Sequence, residues 1–115
     1  MGLVFGLGGR GRPGPERVIG SALWEGGVAA FRFRVRGRVQ GVGYRYFVLR
    51  EAEQRNLTGF TRNVADGSVE VVAEGSDEVL RDLLTRLREG PAFSRVESVE
   101  AEEVAPRGDL GFQIR

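Results

Sequence analysis

A chain of 115 residues, 41% hydrophobic and 29% charged, has room for one globular domain. It holds no cysteine and no histidine, which excludes disulfides, thiolate nucleophiles, Cys-based zinc sites and Ser-His-Asp chemistry. No apolar run approaches the roughly 20 residues of a membrane span. All 17 basic residues are arginine, so a Schiff-base or P-loop lysine is absent as well. The net charge of +1 hides an asymmetry, with eleven arginines against four glutamates in residues 1–62 and six against twelve acids in residues 63–115. A basic half in a nearly neutral chain suits a small anion better than a nucleic acid.

Residues 1–27 differ from the rest. Gly6-Leu-Gly-Gly-Arg-Gly-Arg-Pro-Gly-Pro15 is low in complexity and offers too little apolar surface to order itself. Its Gly6-x-Gly8-x-x-Gly11 spacing matches a dinucleotide fingerprint only formally, because no full strand precedes it and Pro13 and Pro15 stand where a helix should follow. Residues 1–27 read as a Gly/Pro-rich extension, either disordered or an over-extension of the start, and residues 28–115 as the working domain. Val18-Ile19 and Leu23-Trp24 are the segments of the extension able to dock on it.

From Ala29 the punctuation is regular. Phe31-Arg-Phe-Arg-Val-Arg36 alternates with the period of a half-buried strand, which predicts a strand over 29–36. Residues 44–55 contain no glycine or proline and predict a helix ended by Asn56, a residue that tolerates the left-handed cap conformation. Thr58–Val64 and Ser68–Glu74 predict antiparallel strands joined at Ala65-Asp66-Gly67, a strong hairpin signal. Ser76 reads as the N-cap of a second helix with the apolar stripe Val79, Leu80, Leu83, Leu84 and Leu87, stopped by Gly90-Pro91. Val96–Val104 predicts a fourth long strand, and the tail from Gly111 to Arg115 a short strand at a sheet edge. The order is β-α-β-β-α-β, a ferredoxin-like α+β sandwich with two helices on one face of an antiparallel sheet and a short extra C-terminal strand.

Between the first strand and the first helix lies Gly37-Arg-Val-Gln-Gly-Val-Gly-Tyr-Arg45. A strand, a glycine-bearing loop and a helix N-terminus form an anion seat, because the glycines let main-chain N–H groups turn inward and the helix dipole adds partial positive charge. Arg45, at the helix entrance, brings a planar fork able to grip two phosphate oxygens. The stretch reads as a phosphate cradle.

That segment, together with Gly59-Phe-Thr-Arg-Asn63-Val-Ala-Asp66-Gly67-Ser-Val-Glu70 and the ending Phe112-x-Ile114-Arg115, closely resembles the acylphosphatase family across about residues 29–115. The resemblance implies hydrolysis of carboxyl–phosphate mixed anhydrides, such as acetyl phosphate, without metal or cofactor. It assigns Arg45 and the main-chain N–H groups of Gln40, Gly41, Val42, Gly43 and Tyr44 to the phosphate, and Asn63 to the attacking water. It further implies a cytoplasmic monomer whose partner is a small acyl phosphate, with neither nucleic acid nor membrane involved. The chemistry is within reach of this composition. A resonance-stabilised carboxylate leaves without much acid help, so the task reduces to neutralising phosphoryl oxygens and placing water in line.

Plainer roles exist for each residue taken singly. Arg45 alone would be a solvated helix residue, and Asn63 alone a turn-flanking one before Asp66-Gly67. Arg32, Arg34 and Arg36 read as a solvated sheet face, and Glu70, Glu74, Glu97 and Glu100 as solvated strand positions. Two rival functions are compatible with the same element order. An RNA-recognition module would need an aromatic, basic third strand, and Ser68–Glu74 has neither property. A non-catalytic acyl- or carbamoyl-phosphate-binding module of the same fold is the alternative, as found within larger hydrogenase-maturation proteins that carry zinc-finger cysteines.

Overall fold

The computed structural model describes residues 4–5 and 28–115. Its elements are β1 (Val4–Phe5), β2 (Ala29–Arg38), α1 (Tyr44–Gln54), β3 (Thr58–Asn63), β4 (Val69–Gly75), α2 (Asp77–Glu89), β5 (Arg95–Val104) and β6 (Phe112–Ile114). Six strands form one sheet in the order β1-β5-β2-β4-β3-β6. All neighbours are antiparallel except β3 and β6, which run parallel. From β2 to β5 the order is the β-α-β-β-α-β expected from the sequence. Among the described residues no helix is long and apolar enough to cross a membrane.

Alternation along the central strands decides which side the helices cover. Phe33 pairs with Val71 on β4 and Ala101 on β5, and Val35 with Val69 and Val99. Directly opposed residues share a sheet face, so these side chains make one apolar surface. Val48 and Ala52 of α1 and Leu80, Leu83 and Leu87 of α2 close over it, all fully buried or nearly so. The helix ends follow local chemistry. The Ser76 hydroxyl accepts the Val79 N–H at 3.3 Å, and Asp77 and Glu78 sit at the positive end of the α2 dipole. Asn56, at φ 56°, turns the chain out of α1.

The opposite face departs from the sequence expectation. Glu70 and Glu74 are buried, each only 6% exposed. Glu70 lies between Arg32 (3.1 Å) and Arg62 (2.5 Å), and Arg32 also reaches Glu102 at 3.0 Å. Arg34 and Arg36 both approach Asp66, at 3.5 and 3.3 Å, and Arg36 approaches Glu100 at 3.7 Å. Arginines on β2 are thus opposed by carboxylates on both flanking strands and form an ion-pair lattice on a face that stays partly solvated, the Arg32 and Arg36 side chains being 40% and 41% exposed. Glu74 is covered by the connection from β5 to β6, where its carboxylate accepts the N–H groups of Arg107 and Gly108. Glu97 and Glu100 are exposed as expected.

Val4–Phe5, within the 1–27 extension, pairs with β5 through Val4–Glu102 and Phe5–Ala101. Main-chain bonds to an edge strand require no apolar burial. The rest of that segment, including Gly6-x-Gly8-x-x-Gly11, Val18-Ile19 and Leu23-Trp24, lies outside the described residues.

Gly37 and Gly59 are both fixed by close contact with strand backbone, Gly37 against the Arg95 carbonyl oxygen and Gly59 against that of Val72. Gly59 has φ +139°, and a Cβ there would lie 1.9 Å from the Val72 carbonyl oxygen. Gly59→Ala is expected to destabilise the fold by about 3 kcal/mol or more, read as a lower urea midpoint at unchanged slope.

Candidate active site

The sheet delivers two chain segments to one end of the molecule. β2 ends at Arg38 and runs through residues 39–43 into α1. The loop is held from below by Val39, fully buried, and by Val42, which packs against the core. Gly41 and Gly43 have φ of +77° and +81°, left-handed values that side-chain-bearing residues rarely adopt. Space is not the reason for these glycines, since an added Cβ would meet nothing within 4 Å at either position. Conformation is.

Gly43 is the N-cap of α1 and offers no side chain to it. The first turn contains no acidic residue. The N–H groups of Tyr44, Arg45 and Tyr46 precede the first intrahelical bond, from Phe47 N–H to Gly43 O at 3.0 Å. The helix therefore presents uncompensated donors and the positive end of its dipole toward the loop. A depression of about 170 Å³ opens here, lined by Gly41, Gly43, Tyr44, Arg45, Tyr46 and Ile114.

Of the seven residues singled out in the sequence, Gly41, Gly43, Tyr44 and Arg45 line this depression, whereas Gln40, Val42 and Asn63 do not. Tyr44 lines it although the residue is almost wholly buried. Its side chain is 1% exposed, and the phenol donates to the Leu87 carbonyl at 2.7 Å, locking the start of α1 to the end of α2. Burial raises its pKa, so the phenol remains a donor.

Asn63 is the last residue of β3 and pairs with Val69. Thr61 and Asn63 share the helix-covered face; Thr61 is fully buried, while Asn63, past the end of the helical cover, is exposed. Two clamps tie this strand end to the loop. On one side Gln40 donates both amide hydrogens, to Val64 O at 2.8 Å and Ser68 O at 2.9 Å, gripping the residue that follows Asn63. On the other side Arg45 Nη1 donates to Arg115 O at 3.0 Å, and Arg115 N–H donates to Thr61 O at 2.8 Å, two residues before Asn63. Arg115 is steadied by its own side chain, whose guanidinium lies 4.0 Å from the Phe60 ring centroid. The Gln40 clamp was not legible in the sequence, since nothing local distinguishes a loop glutamine that bonds a hairpin 24 residues away.

The hairpin is itself pinned. Asp66 Oδ1 accepts from the Ser68 hydroxyl at 2.6 Å and from the Ser68 N–H at 2.9 Å, an Asx-turn that fixes Ser68 for Gln40. Among the described residues no cluster of three or more His, Cys, Asp or Glu side chains is placed to hold a metal ion.

Comparison with known proteins finds relatives of the chain in sequence and in fold. The Acylphosphatase family model matches residues 31–114. A protein named acylphosphatase from Moorella thermoacetica is 48% identical over 83 residues, covering 72% of this chain and 89% of that one. The crystal structure of acylphosphatase from Bacillus subtilis superposes with a TM-score of 0.73 at 40% identity, over 76% of this chain and 98% of that chain. The crystal structure of T. kodakarensis HypF gives a TM-score of 0.68 at 35% identity, over 76% of this chain but only 12% of that far longer one.

The Asp66 turn has a pH signature. Hydrogen bonds from the Ser68 hydroxyl and N–H, aided by Arg36, lower its carboxyl to about 2. A carboxyl depressed on folding stabilises the protein above the ordinary carboxylate range, and that contribution fades as pH falls through about 2. The stability gap between the wild-type protein and Asp66→Asn is therefore expected to be full at pH 5 and to close toward pH 2, measured by urea titration across that range.

Proposed function

The chain belongs to the acylphosphatase family and is an enzyme acting on acyl phosphates, and from that premise we propose which groups carry the reaction. Arg45 and the main-chain N–H groups from Gln40 to Tyr44 hold the phosphoryl group, and Asn63 holds the attacking water. The observation that supports this assignment best is the pair of clamps. Gln40 bonds the residue after Asn63, and Arg45 reaches through Arg115 to the residue two before it. Loop and strand end form one rigid unit, so a phosphoryl group seated on the loop and a water held from β3 keep a fixed relation.

In this reading the phosphoryl oxygens accept from the loop amides and the Arg45 guanidinium. These donors need no rearrangement when charge develops in the transition state. The Asn63 amide oxygen accepts one hydrogen of the water and leaves its lone pair directed at phosphorus. The P–O bond to the water forms as the bond to the acyl oxygen breaks. The carboxylate departs with that electron pair and is stabilised by its own resonance. A neutral amide is a poor base, so the water's proton passes to a non-bridging oxygen of the phosphoryl group. The products are a carboxylate and inorganic phosphate, and no metal enters the step.

The alternative, a module that binds acyl or carbamoyl phosphate without turning it over, has less support. The first relatives are named acylphosphatase and are covered over most of their length, while HypF is matched over 12% of its chain.

Benzoyl phosphate hydrolysis in EDTA separates these readings. The wild-type protein is expected to be active under chelation, and Arg45→Ala and Asn63→Ala each to lose roughly 10²–10³ in kcat, with far-ultraviolet circular dichroism unchanged. Full activity in either variant would remove that residue from the mechanism. Gln40→Ala keeps both groups but frees the hairpin, and its kcat is expected to fall by less than that of Asn63→Ala.

A further inference from the structure

A second depression, of about 330 Å³, begins where the first ends. The two share Gly43 and Tyr46, and the second continues along Phe47, Arg50, Glu51 and Gln54 to Pro91. Residues 43, 46, 47, 50, 51 and 54 form one stripe of α1, with the spacing of three and four that stacks side chains on a single helix face. The groove therefore runs from the phosphate loop along the helix and away from it.

The chemistry of its walls changes along that length. Next to the loop it is aromatic, with Tyr46 58% exposed and Phe47 half-buried. Further on stand two ionic side chains of different status. Glu51 is buried and already satisfied, by Arg55 at 2.7 Å and Arg86 at 3.1 Å. Arg50 is exposed, and its guanidinium lies 5.7 Å from the Tyr46 ring centroid. No carboxylate of the described residues pairs with Arg50 within ion-pair distance. From Gly43 to Arg50 the helix rises by about 10 Å.

We propose that this groove receives the acyl part of the substrate and that Arg50 selects acyl phosphates carrying a second anionic group at the far end of the acyl moiety. The inference rests on the phosphate being seated at the Gln40–Arg45 loop. With phosphorus fixed there, the acyl group leaves past Gly43, its carbon skeleton lies along Tyr46 and Phe47, and a distal carboxylate or phosphate meets the Arg50 fork. An acetyl group is too short to use either contact. Arg50 takes no part in bond making. It acts on binding of the distal group, through a charge-assisted hydrogen bond.

Three rigid substrates test this: benzoyl phosphate, 4-carboxybenzoyl phosphate and its uncharged carboxamide analogue. A para carboxylate on a benzoyl ring projects along the groove and cannot cyclise onto the anhydride. In the wild-type protein the 4-carboxy substrate is expected to have the lowest KM of the three, an advantage that shrinks as salt is raised. In Arg50→Gln the preference for 4-carboxybenzoyl over benzoyl phosphate, taken as a ratio of kcat/KM, is expected to fall about tenfold, mainly through KM. Arg50→Glu should reverse it, and Arg50→Lys should retain part of it. An unchanged ratio in Arg50→Gln, or a wild-type KM that does not distinguish carboxylate from carboxamide, overturns the inference and leaves the phosphate site standing. Failure of the wild-type protein to hydrolyse any of the three, and acetyl phosphate as well, overturns the functional reading with it.

Discussion

The strict alternation of β2 governs the molecule, because this central strand has to satisfy two unlike faces at once. Phe31, Phe33 and Val35 point to the helices and are at most 5% exposed. Arg32, Arg34 and Arg36 point the other way, into carboxylates supplied by β4, β5 and the hairpin turn. A one-residue slip would bury three arginines beneath the helices and expose three large apolar side chains, so the register is held from both sides. The fixed register in turn sets where β2 ends, and with it where the glycine-bearing loop of residues 39–43 begins.

Function follows from what lies past that end. The loop has little apolar content of its own, yet Val39 and Val42 root it in the core and Tyr44 bolts the helix start to α2. The donors of the loop and first turn are thus held in place without being consumed. The same economy appears on β3, where Asn63 extends beyond the helical cover while the residues on either side of it are bonded. Of the groups proposed to meet a substrate, the Arg45 guanidinium already spends one donor on Arg115 O, and the neighbours of Asn63 are tied down.

The sequence made most of this legible. Alternation gave β2, Asp66-Gly67 gave the hairpin, and Ser76 gave the start of α2, because each signal depends on residues only a few positions apart. The cradle proposed at residues 40–45 rests on a local signal of the same kind. What escaped was long-range pairing. Glu70 and Glu74 looked solvated because a two-layer fold usually leaves that sheet face wet. Their burial depends on arginines of β2 and on main-chain N–H groups more than 30 residues downstream. The place of the Tyr44 ring in the core, with its phenol on Leu87 O, was likewise not legible from the loop sequence. The Gln40 clamp could not be found from spacing at all, since an amide able to bond two carbonyls is compatible with almost any loop.

In the mechanism proposed above, residues 40–45 and the end of β3 jointly build one anion seat. Titrating inorganic phosphate into the ¹⁵N-labelled protein tests it most directly. Saturable shifts with one common midpoint are expected at the main-chain amides of residues 41–45, the Arg45 guanidinium and the Asn63 side-chain amide. Shifts centred on the ion-pair lattice of the opposite face, or shifts at the loop that leave Asn63 unmoved, would contradict it.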